Sequence, residues 1–315
     1  KPRRARVWLM RLALMVGVPA LLLGLAEGVL RLAGYGQPTS FFVESPHHDD
    51  GVLIENDKFA WCFLPSTLAR ASQPTLLHRK KAPGTVRVFV FGESAAEGDP
   101  EPAFGLPRLL EALLEGRFPG RDFEVVNAAV TAINSHAILP IARDCAGLDG
   151  DFWAVYIGHN EVMGPFGAGT VFTSSSRDLW LIRAGLLAKT TRIGQVLDVF
   201  LNISSSDNAP MYWQGMSMFL EQQVREGAPA LETVYERFRR NLSDIAATAR
   251  SNGIACLVCT AATNLQDSPP FASMHRSDIT ESEKTQWDHL FQLGIADESR
   301  GDIEGAVARY REAAA

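Results

Sequence analysis

Cysteine is scarce. The 315-residue chain carries four, Cys62, Cys145, Cys256 and Cys259, widely scattered. That spacing excludes the disulfide framework of a small secreted scaffold. An excess of positive charge is also lacking: 30 Lys and Arg face 36 Asp and Glu, for a net charge of -6. This argues against a general nucleic-acid binder. Compositional bias is absent too. With 46% hydrophobic and 21% charged residues, wholesale disorder and collagen-like folds are excluded. The length leaves room for one large domain or two ordinary ones with a sizeable core.

Acids are missing from the first eleven residues, which hold Lys1, Arg3, Arg4, Arg6 and Arg11. A basic tip on an acidic body is a targeting pattern. Residues 12–26 carry no charge, and Glu27 ends the run. A full membrane span needs about 20 apolar residues. Val7 to Met10 extend the run if Arg11 snorkels toward the headgroups. Cations ahead of the apolar run put the N-terminus in the cytoplasm and the rest across the membrane. No clean A-x-A cleavage site follows Leu23. We therefore read 1–34 as an uncleaved membrane anchor rather than a signal segment or a buried core helix.

Residues 35–84 hold aromatics and several prolines, and read as a membrane-proximal extended segment with short strands. His47, His48, Asp49 and Asp50 are adjacent, so their side chains diverge. A polar loop fits them better than a metal site. From Val86 the chain reads as α/β. Strands are predicted over 86–91, 123–127, 152–158 and 254–261, and helices over 104–118, 135–145 and 231–251. This alternation predicts a parallel sheet with right-handed crossovers. Residues 164–230 interrupt it with a glycine-rich loop, two serine runs and one helix candidate, Leu179 to Phe200. They read as an insertion. Cys256 and Cys259 have C-x-x-C spacing but fall inside a predicted buried strand, where positions three apart face opposite sides. Small buried hydrophobes suit them better than a redox or zinc pair.

Three predicted strands deliver small and polar groups to one edge of the sheet. The first runs into Gly92-Glu93-Ser94-Ala95-Ala96, the second ends at Asn127 before a small-residue loop to Asn134, and the third ends in Gly158-His159-Asn160-Glu161. Ligands of open α/β sheets bind at this carboxyl edge. These segments resemble blocks I, II and III of the SGNH (GDSL-type) ester hydrolases, with Gly92-Glu93-Ser94 in place of G-D-S and Gly158-His159-Asn160-Glu161 in place of G-x-N-D. The resemblance implies a three-layer α/β/α, flavodoxin-like fold over 85–282. It implies Ser94 as nucleophile. The Ser94 N–H, the Ala132 N–H and the Asn160 amide would form the oxyanion hole, and no cofactor or metal would be needed. Ala132 stands at the family's glycine position, which is tolerable if its backbone does not need a positive φ. Glu93 and Glu161 replace aspartates and, on this reading, touch neither nucleophile nor donor. His136 and His159 are expected to line the pocket or cap a loop.

A serine hydrolase also needs a base. The family's D-x-x-H occurs at none of the seven histidines. His275 follows the last predicted strand and is the best candidate. Trp287, Leu290, Gly294, Ala306 and Tyr310 fall at tetratricopeptide positions. Residues 283–315 are thus expected to form part of a helical-repeat insertion, with more repeats and the D-x-x-H block beyond. The expected protein is a membrane-anchored, extracytoplasmic serine esterase with an acyl or acetyl ester substrate and a protein partner for the repeats. The alternatives are an O-acetyltransferase using the same serine and an envelope scaffold that has lost catalysis.

Overall fold

The structure is a computed structural model that describes residues 2–48, 51–71, 74–172, 178–203, 212–264, 274–276 and 278–314. The chain divides into two units, Lys1–Asn264 and Leu265–Ala315. Asp49, Asp50 and the serine runs at 174–176 and 204–206 lie outside the described residues. Among the described residues no group of three or more His, Cys, Asp or Glu side chains could hold a metal ion.

The first unit opens with α1 (Pro2–Leu32). Its stretch Ala13–Leu32 is long and apolar enough to cross a membrane, and none of it is buried in the protein. Three short antiparallel strands follow, β1 (Phe42–Glu44), β2 (Val52–Glu55) and β3 (Leu76–His78). Phe41, Phe59, Phe63 and Leu77 from this region join the main core.

The main sheet is parallel. It comprises β4 (Val86–Gly92), β5 (Phe123–Asn127), β6 (Phe152–Tyr156) and β7 (Ala255–Cys259), in the order β5-β4-β6-β7. Helices α2 (Ser94–Glu97), α3 (Leu106–Arg117), α4 (Ser135–Cys145) and α7 (Pro229–Ser251) connect the strands. Side chains alternate across each strand, so the sheet has two different faces. Phe89, Phe91, Trp153 and Val155 pack with Ile138 and Ile141 of α4 and Ile245 of α7. Val88, Val90 and Ala154 pack under Leu106, Leu110 and Leu114 of α3. The layers are therefore helix, sheet, helix, as the sequence predicted.

Two expectations need correction. The strand at 255–259 is not buried: β7 is an edge strand, and Leu257 is 65% exposed. On the α3 face that helix covers β4 and β5, which leaves Phe152 and Leu257 bare. The helix candidate 179–200 is two helices, α5 (Leu179–Lys189) and α6 (Arg192–Ile203). Threonines cause the break. The Thr190 and Thr191 hydroxyls donate to the last carbonyls of α5, Leu187 O and Ala188 O, at 2.7 and 2.8 Å. Thr191 Oγ1 then accepts the Gly194 N–H at 3.0 Å, which caps α6.

The second unit holds α8 (Glu281–Ser299) and α9 (Ile303–Ala314), packed together. Thr280 and Glu283 form a capping box at the start of α8. Gly294 admits the Tyr310 ring, which a Cβ would meet at 2.4 Å. Trp287 stacks on Phe291, and Leu290 and Ala306 are buried.

Candidate active site

β4, β5 and β6 end at the same edge of the sheet, as parallel register requires. Gly92 ends β4 because nothing larger fits. A Cβ there would meet Ala96 Cβ at 2.2 Å and the Tyr156 carbonyl at 2.7 Å. The chain can then turn at once into α2, whose first residue is Ser94. Ser94 is half-buried, and its hydroxyl has no hydrogen-bond partner among the described residues. The loop after β5 carries Thr131 and Ala132, and the loop after β6 carries Asn160. Ser94, Thr131, Ala132 and Asn160 line one pocket of about 110 Å³. The three predicted segments are thus brought together.

The donors are available. Among the described residues neither the Ser94 N–H nor the Ala132 N–H is engaged in a hydrogen bond. Asn160 Nδ2 donates to the Ile133 carbonyl at 3.0 Å. This fixes the amide and leaves its second N–H free, since an amide nitrogen has two donors. The Ala132 φ is 67°, so the condition under which alanine would be tolerated without strain at this position is not met. An L-residue held left-handed costs roughly 1–2 kcal/mol, and Ala132 carries that strain at the site.

Buried glutamates tie the three loops to one another. Glu93 accepts the Gly158 N–H at 3.4 Å and the Asn160 N–H at 3.0 Å, joining the first loop to the third. Glu161 accepts the Ser135 N–H and hydroxyl, both at 2.8 Å, joining the third to the second. Glu97 accepts the Thr131 hydroxyl at 2.7 Å, joining the first to the second. Glu93 therefore does touch Asn160, a predicted donor residue, contrary to the expectation, and it stands next to Ser94 in the chain. Burial, reinforced by the nearby Glu161 charge, pushes Glu93 up to about 8. Burial pushes Glu161 up to about 7, and raises Glu97.

His136 and His159 do not line this pocket. His136 packs edge-on against Phe166 and lies 3.3 Å from Asn241 Nδ2. Burial and the Arg237 and Arg183 charges push it down to about 3, so it is neutral. His159 Nδ1 lies 3.6 Å from Glu93 Oε2, and its ring stands on Tyr156. No histidine among the described residues lines the pocket; its carboxylate is Asp99. His275 belongs to the second unit, with its ring edge-on to Trp287 at 4.7 Å. The preceding residues 265–273 lie outside the described residues. Cys256 and Cys259 are free thiols, half-buried in β7.

Sequence reading missed the pocket's far wall. Met163, Phe172, Trp213, Met216 and Phe219 line it, all from within or next to the segment 164–230. Phe172 stacks on Trp213 and meets Phe219 edge-on, and Arg70 sits over the Trp213 ring. No spacing rule connects these residues; only their aromatic character hinted at them. A larger hollow of about 460 Å³ lies at the opposite, amino edge of the sheet, lined by Lys80, Lys81, Arg87 and Glu124. Sites of open α/β sheets form at the carboxyl edge, and no serine or cysteine lines that hollow.

No protein-family model and no curated protein matches the chain. Among solved structures it is similar to TesA, at 17% identity over 54% of this chain and 76% of that one, with a TM-score of 0.27. It is also similar to AlinE4, an SGNH-hydrolase family esterase, at 12% identity over 69% of this chain and 98% of that one, with a TM-score of 0.27. Likenesses this distant carry no weight beside the geometry of the pocket.

Proposed function

We propose that the chain is a serine-dependent ester hydrolase of SGNH type, held at a membrane by α1. One observation carries this reading: Ser94, the two free N–H groups and the Asn160 amide border one pocket. Ser94 Oγ attacks the ester carbonyl and its proton passes to a base. The carbonyl oxygen becomes an oxyanion facing the Ser94 and Ala132 N–H groups and Asn160 Nδ2. Collapse releases the alcohol and leaves an acyl-serine, which water then hydrolyses. The apolar wall and small volume suit a short acyl or acetyl group. The base on this reading is a histidine, and none lines the pocket among the described residues. The basic first turns of α1, ahead of its apolar stretch, support an extracytoplasmic position for the catalytic body. The α8–α9 pair is a tetratricopeptide-like element suited to a protein partner.

A second reading, a scaffold without catalysis, is favoured by the lack of a histidine in the described pocket lining. A fluorophosphonate probe separates the two. The enzyme reading expects covalent labelling that disappears in Ser94→Ala and that Asn160→Ala slows on the order of 10²- to 10³-fold. An intact, folded chain that takes no label is the scaffold.

A further inference from the structure

α6 is tied to the membrane helix near its outer end. Glu27 accepts the N–H groups of Arg192 and Ile193, both at 3.0 Å. Just after α1, Gln37 and Gln195 exchange hydrogen bonds. The Gln37 N–H donates to Gln195 Oε1 at 3.0 Å, and Gln195 Nε2 donates to the Gln37 carbonyl at 2.9 Å. Gly36 leaves room for this, since a Cβ would meet Gln195 Oε1 at 2.2 Å. α6 in turn packs against α5. Removal of α1 would leave the Arg192 and Ile193 N–H groups without Glu27, which favours a retained anchor over a cleaved leader.

The hairpin's outer faces are apolar and bare. On α6, Leu197, Phe200 and Leu201 recur at helical spacing, with Phe200 66% and Leu201 72% exposed. On α5, Trp180, Leu181 and Leu187 are exposed, Trp180 at 66%. Such faces in water need a cover. Position supplies it. Glu27 lies five residues before Leu32, the end of the apolar stretch, which is roughly 7 Å along a helix. Interfacial helices lie about 5–10 Å into the headgroup and acyl boundary. Tryptophan is enriched at that depth.

We propose that the α5–α6 hairpin lies in the lipid interface of the leaflet on the catalytic body's side. It is docked to the anchor through Glu27 and to the residues just after the anchor through Gln195. This rests on the membrane-anchor reading and not on the esterase reading. The continuation of the same segment, Trp213 to Phe219, walls the pocket, so the pocket is held at the bilayer surface.

The test uses the full chain in vesicles of phosphatidylcholine with some phosphatidylglycerol, in a background with Cys256 and Cys259 replaced by alanine. An environment-sensitive NBD label goes on Phe200→Cys, or on Leu113→Cys of α3 as control. The label at 200 is expected to shift to the blue and to be quenched by brominated acyl chains, and the label at 113 to report water. Glu27→Ala is expected to shift the label at 200 back toward water while the chain stays in the vesicles. If the label at 200 reports water while the chain resists alkaline extraction, the hairpin proposal is overturned and the anchor stands. If extraction releases the chain, the anchor itself fails. Cross-linking of two copies through position 200 without lipid quenching assigns the face to a second copy and overturns the proposal.

Discussion

At the scale of single residues, Ala132 is the most informative position. Its N–H is a donor in the proposed mechanism, and its methyl group is what the left-handed backbone resists. Ala132→Gly is expected to raise stability by about 1 kcal/mol, the left-handed penalty less the added freedom of glycine in the unfolded chain. Probe labelling should persist, because the donor remains. An unchanged denaturation midpoint would show that the loop bears no strain there. The sequence placed alanine at a glycine position, but φ is not written in a residue name. The glutamates were equally silent. That Glu93, Glu97 and Glu161 are acidic was plain; that they are buried and bridge loops 26 or more residues apart was not.

At the scale of elements, the strands and helices around the sheet were legible. Val86 to Phe91 is apolar except for Arg87 and is bounded by turn residues, the mark of a strand covered on both faces. The failures came where tertiary context decides. Leu257 has the character of a buried strand residue, yet nothing in its own stretch reveals that β7 is an edge. The α5–α6 break was readable in Thr190-Thr191 through their competition for backbone groups. The β4–α2 junction gives a direct test. Gly92→Ala puts a methyl 2.2 Å from Ala96 Cβ and 2.7 Å from a backbone carbonyl. Overpacking of this kind costs about 1–3 kcal/mol. It is expected to lower the thermal midpoint and to displace Ser94, so that labelling slows even at temperatures where the variant remains folded.

At the scale of the whole molecule, buried acids shape the response to pH. Glu55 and Glu93 are each pushed up to about 8 by burial, and Glu161 to about 7, from an ordinary 4.5. Between those values the folded chain keeps protons that the unfolded chain has lost, so stability falls as pH rises. His136, held at about 3 against an ordinary 6.5, acts in the opposite sense, and only below 6.5. Above 6.5 the carboxyls act alone among these groups. The thermal midpoint is therefore expected to drop between pH 6.5 and 8, by roughly 2–4 °C for each kcal/mol lost. Glu93→Gln should make the drop shallower, and a midpoint that rises over this range would contradict the burial of these carboxyls in the native state.

The open side of β7 has a consequence of another kind. Its outer row of N–H and C=O groups faces no strand among the described residues, and beside it lie bare Phe152 and Leu257. Such a rim is a template: any extended peptide that reaches it gains a ladder of hydrogen bonds and an apolar seat. A tether to a bilayer would concentrate copies in two dimensions while restricting tilt, so two rims could pair only in the orientations the membrane allows. Losing the tether would free every orientation and turn a constrained neighbour into a self-adhesive one.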